Sequence, residues 1–209
     1  MRVLFIGNSF TARNNAPGLI EPLVGSQGVR FEYTLISAGG ASLRAHWNKG
    51  LAQQAIAEAQ YDVVVLQEQS TLPVKNALRM HENIRLFDEA IRASGARTAL
   101  YATWARQHEP QNQAIIAAAY AEIGKELGAT VVPVGTAWRD FMRRHSQPLL
   151  HDTDKSHPTL AGSYLAACVF YAVLLDRSPV GAGVTPNGLT AADASALQRA
   201  AWAVRPRQR

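Results

Sequence analysis

Apolar and polar positions fall in blocks along this chain, and the period changes from block to block. Arg2–Ile6 reads as a short buried strand, and Tyr61–Leu66 as a stronger one built on the β-branched run Val63-Val64-Val65. Val29–Ile36, Thr98–Thr103 and Thr130–Val134 read as the remaining strands. Between them the spacing becomes helical over Pro17–Val24, Leu43–Ala59, Leu78–Ala93 and Gln113–Leu127, with Gly95 and Gly128 closing the last two. Thr136–Arg144, Thr159–Leu175 and Thr190–Val204 follow as helices. A Gly- and Pro-rich loop over Arg177–Asn187 leads into the last of these, which is expected to pack outside the core.

Strands separated by helices of this length imply right-handed crossovers and a parallel sheet covered on both faces. The expected fold is α/β, a three-layer α/β/α sandwich of flavodoxin-like outline with five strands. A chain of 209 residues suits one sizeable core, since domains typically run ~100–200 residues. Residues 1–209 are therefore read as a single domain, with a C-terminal helix at about 190–204 and a basic tail at 205–209.

Composition narrows the partners. The chain is 47% apolar and 18% charged, and its N-terminal apolar run, Val3-Leu4-Phe5-Ile6, falls short of a signal-peptide core (~7–15 residues) and of a membrane span (~20). It reads as cytoplasmic, with no membrane partner. The single cysteine, Cys168, permits no intramolecular disulfide and lies in an apolar segment as a buried small residue. A net charge of +5 raises nucleic acid as a partner, but Arg205, Arg207 and Arg209 crowd the final residues as a solvated tail, so none is expected. The six histidines show no H-x-H or H-E-x-x-H spacing, so no metal is expected, and His46, His81 and His145 read as surface or helix-face residues. Neither G-x-G-x-x-G nor G-x-x-x-x-G-K-[ST] is present, which disfavours nucleotide cofactors; no cofactor is expected.

Two segments carry chemistry: Gly7-Asn8-Ser9-Phe10, directly after the first strand, and Asp154-Lys155-Ser156-His157-Pro158 near the end. A serine hydroxyl is a poor nucleophile until an imidazole takes its proton, and the imidazole needs a carboxylate to fix its tautomer. Ser9, His157 and Asp154 can fill those roles. Gly7 would let the chain bend as the strand ends, leaving Ser9 at the carboxyl edge of the sheet, where open α/β folds keep their ligand crevice. The competing reading is an ordinary Gly-Asn-Ser turn and an aspartate that caps the next helix. An electron carrier or a receiver domain could share the architecture, but neither accounts for Asp154 and His157 three apart.

The layout resembles the SGNH (GDSL-like) hydrolase superfamily from residue 3 to about residue 176. The matching blocks are Phe5-Ile6-Gly7-Asn8-Ser9-Phe10-Thr11, then Ser37-Ala38-Gly39-Gly40-Ala41-Ser42, then Asp154-Lys155-Ser156-His157-Pro158. One block departs: where most members carry G-x-N-D after the third strand, this chain has Gln67-Glu68-Gln69-Ser70, as in a branch with G-N-S-F and Q-E-Q-S blocks. The resemblance implies strand order 2-1-3-4-5, a Ser9–His157–Asp154 triad, and an oxyanion hole from the N–H groups of Ser9 and Gly40 and the amide of Gln69. It implies a serine esterase acting on a small acyl ester, such as a carbohydrate O-acetyl group. A non-catalytic binding relative and an acyltransferase using the same triad stay open, as does the oligomeric state. Trp104 and Arg106, in the loop after strand four, are weaker candidates for substrate contact: Trp104 to stack on a sugar ring or pack on an acyl chain, or else to cover the core edge, and Arg106 to meet an anionic group or to be merely solvated.

Overall fold

In a computed structural model, which describes residues 1–25 and 30–205, the strands form one parallel sheet. β1 (Arg2–Gly7), β2 (Glu32–Ser37), β3 (Val63–Leu66), β4 (Arg97–Tyr101) and β5 (Thr130–Val132) lie in the order β2-β1-β3-β4-β5. Ile6 of β1 stands opposite Ile36 on one side and Leu66 on the other. The chain reverses its direction of travel across the sheet between β1 and β3, and such a switch point opens a crevice at the carboxyl ends of the strands.

β1 and β3 are apolar throughout because both faces of the sheet are covered. Val3, Phe5, Val63 and Val65 feed one buried cluster, and Leu4, Ile6, Val64 and Leu66 feed the other. Each of the eight is at most 2% exposed, and each such side chain contributes about 1.5–3 kcal/mol relative to exposure. This pair of strands is the rigid floor from which the loops at the carboxyl edge project.

The first helices are α1 (Ser9–Ala12), α2 (Glu21–Gly25), α3 (Leu43–Lys49), α4 (Leu51–Glu58) and α5 (Leu72–Lys75). They are followed by α6 (Ala77–Ala93), α7 (Asn112–Leu127), α8 (Val134–Met142), α9 (Leu160–Leu174) and α10 (Ala191–Ala203). α3, α4, α6 and α7 pack on the Leu4/Ile6 face, and α2, α8, α9 and α10 on the Val3/Phe5 face. Among the described residues, no helix is long and apolar enough to cross a membrane.

Several elements differ from expectation, each for a local reason. The helix expected over 43–59 is two helices, because Gly50 takes φ 78° and a left-handed residue ends the first of them. The segment expected as a helix from Pro17 begins as a tight 3-10 stretch over 13–19, in which Asn14 and Asn15 hold φ of 53° and 49°. β5 stops at Val132, since Pro133 initiates α8. α10 packs in the core rather than outside it: Ala194, Leu197 and Ala201 are buried against the α9 side of the sheet. α9 is buried nearly all round and contains Cys168, whose thiol burial pushes away from ionisation. Of the strand expected at 29–36, Val29 lies outside the described residues, as does most of the basic tail.

Candidate active site

β1 delivers the chain to the carboxyl edge at Gly7, and Asn8 starts α1 by accepting from Phe10 N at 3.0 Å through Oδ1. The turn is then held from three directions. Gln67 Oε1 accepts from Asn8 N and from Thr11 Oγ1, both at 2.9 Å. Asn8 Nδ2 donates to Ala41 O at 3.0 Å, and His46 Nε2 donates to Gly7 O at 2.7 Å. A Cβ on Gly7 would lie 2.6 Å from Gln67 Oε1 and 2.7 Å from Thr11 Oγ1. Glycine is thus required here by close packing on Gln67 rather than by a sharp bend.

His46 and His81 are not surface residues. Both are buried, and each donates through Nε2 to a main-chain carbonyl, of Gly7 and of Ala119 respectively. Burial lowers the pKa of His46, which keeps the ring neutral with its proton on the side of Gly7 O. His145 is exposed, stacked on Phe141.

The acid and the histidine sit on one tight loop between α8 and α9. Asp154 Oδ1 accepts from the main-chain N–H groups of Ser156 and His157, each at 2.9 Å, and Oδ2 lies 2.5 Å from His157 Nδ1. Lys155, with φ 61°, makes the reversal, and the loop closes through Asp152 N donating to His157 O at 2.8 Å. The N–H of His157, its ring and the N–H of Ser156 hold the Asp154 carboxyl far below the usual carboxylate range. An ionised Asp154 keeps the ring proton on Nδ1, so Nε2 is free to accept. It lies 2.8 Å from Ser9 Oγ.

Long-range contacts bring these halves together. Arg13 Nη1 pairs with Asp152 Oδ2 at 2.6 Å, and Asn14 Nδ2 donates to Pro158 O at 3.2 Å. Phe10 stacks on one face of Trp104 with centroids 4.7 Å apart, and Trp138 on the other at 3.9 Å. Trp104 Nε1 donates to Ser156 O at 3.0 Å. Trp104 is therefore no platform for a sugar ring: with both faces covered, it braces the loop that carries Asp154 and His157. Arg106 is half-buried on the same loop.

The other groups expected to form the oxyanion hole follow β2 and β3, the two strands that flank β1. Gly40 has φ 65°, and a Cβ there would meet nothing within 4 Å, so the turn itself demands glycine. Gln69 Oε1 accepts from Thr71 N, Thr71 Oγ1 and Leu72 N at 2.8–3.1 Å, which fixes the amide orientation and leaves Nε2 as the remaining donor. Among the described residues, the N–H groups of Ser9 and Gly40 and the Gln69 Nε2 donate to no protein atom.

Glu68, between the two glutamines, is fully buried. Its Oε1 accepts from Leu43 N at 3.0 Å and Gln69 N at 2.7 Å, and its Oε2 accepts from Asn83 Nδ2 at 2.9 Å. One carboxylate thus ties the loop after β2 to the loop after β3. Burial raises its pKa, against the pull of Asn83, of these two N–H donors and of Arg44. The roles of Glu68 and His46 escaped the sequence reading; for Glu68 the available signal was a run of hydrogen-bonding side chains directly after an all-apolar strand, where solvation is lost.

A protein from Slackia heliotrinireducens assigned to the SGNH hydrolases has the same fold, with a TM-score of 0.71 at 30% identity, over 82% of this chain and 97% of that one. The chain belongs to the SGNH hydrolases. Two further structures share the SGNH fold at lower identity. A DUF4886 family protein from Bacteroides uniformis matches with a TM-score of 0.79 at 19% identity over 97% of this chain and 93% of its own, and an acetyl xylan esterase, AlAXEase, with 0.63 at 13% over 82% and 98%. No family model and no curated protein matches the sequence.

Proposed function

We propose that this SGNH hydrolase is a serine esterase that removes a small acyl group, such as an O-acetyl group on a carbohydrate. The observation that carries the reading is the continuous chain Ser9 Oγ to His157 Nε2 to Asp154 Oδ2, at 2.8 and 2.5 Å. Ser9 Oγ attacks the ester carbonyl carbon as its proton passes to His157 Nε2, and the positive ring is stabilised by ionised Asp154. The N–H groups of Ser9 and Gly40 and the amide of Gln69 stabilise the oxyanion, which exists only at the tetrahedral stage. His157 then returns the proton to the departing alcohol, leaving an acyl-Ser9. Water repeats the cycle, activated by the same ring, and releases the acid. The acetyl xylan esterase among the structures of this fold supports a small acyl group.

The test is a fluorophosphonate label combined with p-nitrophenyl acetate hydrolysis. Wild type should be labelled on Ser9 alone, and Ser9→Ala should stay folded while losing kcat by about 10⁴-fold or more. Full activity in that variant, or labelling elsewhere, overturns the assignment.

A further inference from the structure

The loop after β4 separates two clefts, both of which Ala105 and Arg106 line. One, of about 170 Å³, borders Ser70 and Thr71, next to Gln69. The other, of about 230 Å³, runs along α8 and presents Arg106, Arg139 and Arg143 with no carboxylate in its lining. Arg139 is paired with Asp140 at 2.8 Å, outside the lining. Among the described residues, Arg106 and Arg143 have no acidic partner, and Arg106 Nε is buried with no acceptor. Guanidinium groups left uncompensated in a concave, largely apolar site focus positive potential there. Their planar forks match carboxylate, sulfate and phosphate oxygens.

The position of this cleft says which half of a substrate would reach it. Its loop is stitched to the triad loop: Gln107 N donates to Lys155 O at 2.9 Å, and His151, which precedes the triad loop and lines the cleft, donates through Nε2 to Ala105 O at 3.0 Å. The arginine cleft is therefore joined to the loop that carries His157, whereas the smaller cleft borders the block that carries Gln69. His157 must hand its proton to the alcohol oxygen, so the alcohol half of the ester departs on that side. We infer that the cleft binds an anionic group carried by the alcohol, and that the substrates are small-acyl esters of acidic sugars or similar anionic alcohols. This rests on the esterase reading above.

The experiment compares methyl glucuronoside bearing one O-acetyl group, its 6-O-sulfated glucoside counterpart, and the neutral acetylated methyl glucoside. Wild type should favour an anionic probe by about tenfold or more in kcat/KM, mostly through KM, and the advantage should shrink as salt is raised. The better of the two anionic probes identifies carboxylate or sulfate as the group recognised. Arg106→Gln should erase most of the ratio of anionic to neutral kcat/KM. Arg143→Gln, at an exposed position, should erase part of it. Binding of unacetylated methyl glucuronoside and of methyl glucoside 6-sulfate to Ser9→Ala, followed by calorimetry, reads the cleft without chemistry. Anion binding that Arg143→Gln weakens, without ester hydrolysis by wild type, would keep the cleft and sink the esterase. Equal rates on all three esters with no anion binding would keep the esterase and overturn this inference.

Discussion

The turn that carries Ser9 and the loop that carries Asp154 and His157 meet where Ser9 Oγ lies 2.8 Å from His157 Nε2, yet they are held in different ways. The serine turn is fastened by Asn8, His46 and Gln67, with Glu68 behind the neighbouring loops, and each of the four is at most 4% exposed. The acid–histidine loop is fastened by its own hydrogen bonds and by Arg13, Trp104 and Gln107, but it lies nearer solvent, with the Asp154 side chain 44% and the His157 side chain 29% exposed. A buried hydrogen-bonding group that loses its partner costs about 1–3 kcal/mol, whereas an exposed pair contributes about 0–1 kcal/mol. Damage on the first side should therefore appear in stability as well as rate, and damage on the second in rate alone.

After loss of the nucleophile itself, the largest expected effect falls on the exposed side. Asp154→Asn removes the carboxylate that keeps the ring proton on Nδ1, and kcat should fall by about 10³–10⁴-fold. Its thermal midpoint should stay near that of wild type; a large drop would break the contrast. Because the Asp154 pKa is depressed in the fold, the anchoring it provides is fully present above the unfolded carboxyl value of ~3.9 and is lost only as pH falls below it. Any loss of activity on the acid side above about pH 5 therefore arises from a group other than Asp154. A kcat/KM profile whose acid limb begins only below about pH 4 would point to Asp154 instead.

The two glutamines after β3 sharpen the comparison within one block. Gln69 keeps an unused amide donor, so Gln69→Ala should lower kcat by about 10- to 1000-fold with KM little changed. Gln67 faces inward, so Gln67→Ala should strand Asn8 N and Thr11 Oγ1 and lower stability by roughly 2–4 kcal/mol. At a temperature where both variants are folded, Gln69→Ala should retain the lower kcat. If Gln67→Ala proves the slower enzyme at equal stability, the oxyanion donors must be redrawn.

A smaller effect tests whether Glu68 positions the loops or merely fills space. In Glu68→Gln the new amide N–H₂ faces the Asn83 amide, and kcat should fall about tenfold, equivalent to about 1.4 kcal/mol. Adding Asn83→Asp restores an acceptor opposite that new amide, while its second oxygen can take the hydrogen bond that Arg44 Nε now gives Asn83 at 3.0 Å. The double variant should recover most of the lost kcat with KM unmoved. Failure of that rescue, with stability restored, would reduce Glu68 to a structural role.

Much of this protein was legible in its residues. β-branched runs read as strands because both faces of a parallel sheet are apolar, and the order of the alternation implied the crossovers. The Asp154–His157 geometry was legible for the same kind of reason: three residues apart on a closed loop, their separation is set by local backbone. The break at Gly50 and the 3-10 stretch at Asn14 and Asn15 were not, since a period does not register a single left-handed residue, and the burial of α10 depends on which neighbours pack there. Nor were the roles of Glu68 and His46, which look like ordinary polar residues until the fold removes their water and supplies partners up to 39 positions away. Trp104 shows the limit most plainly. Its chemistry permits a sugar platform, and only the arrival of Phe10 and Trp138 on its two faces made it a brace. Local spacing is a property of the chain, but a side chain's partners are a property of the packing, and the packing decided how Ser9 meets His157.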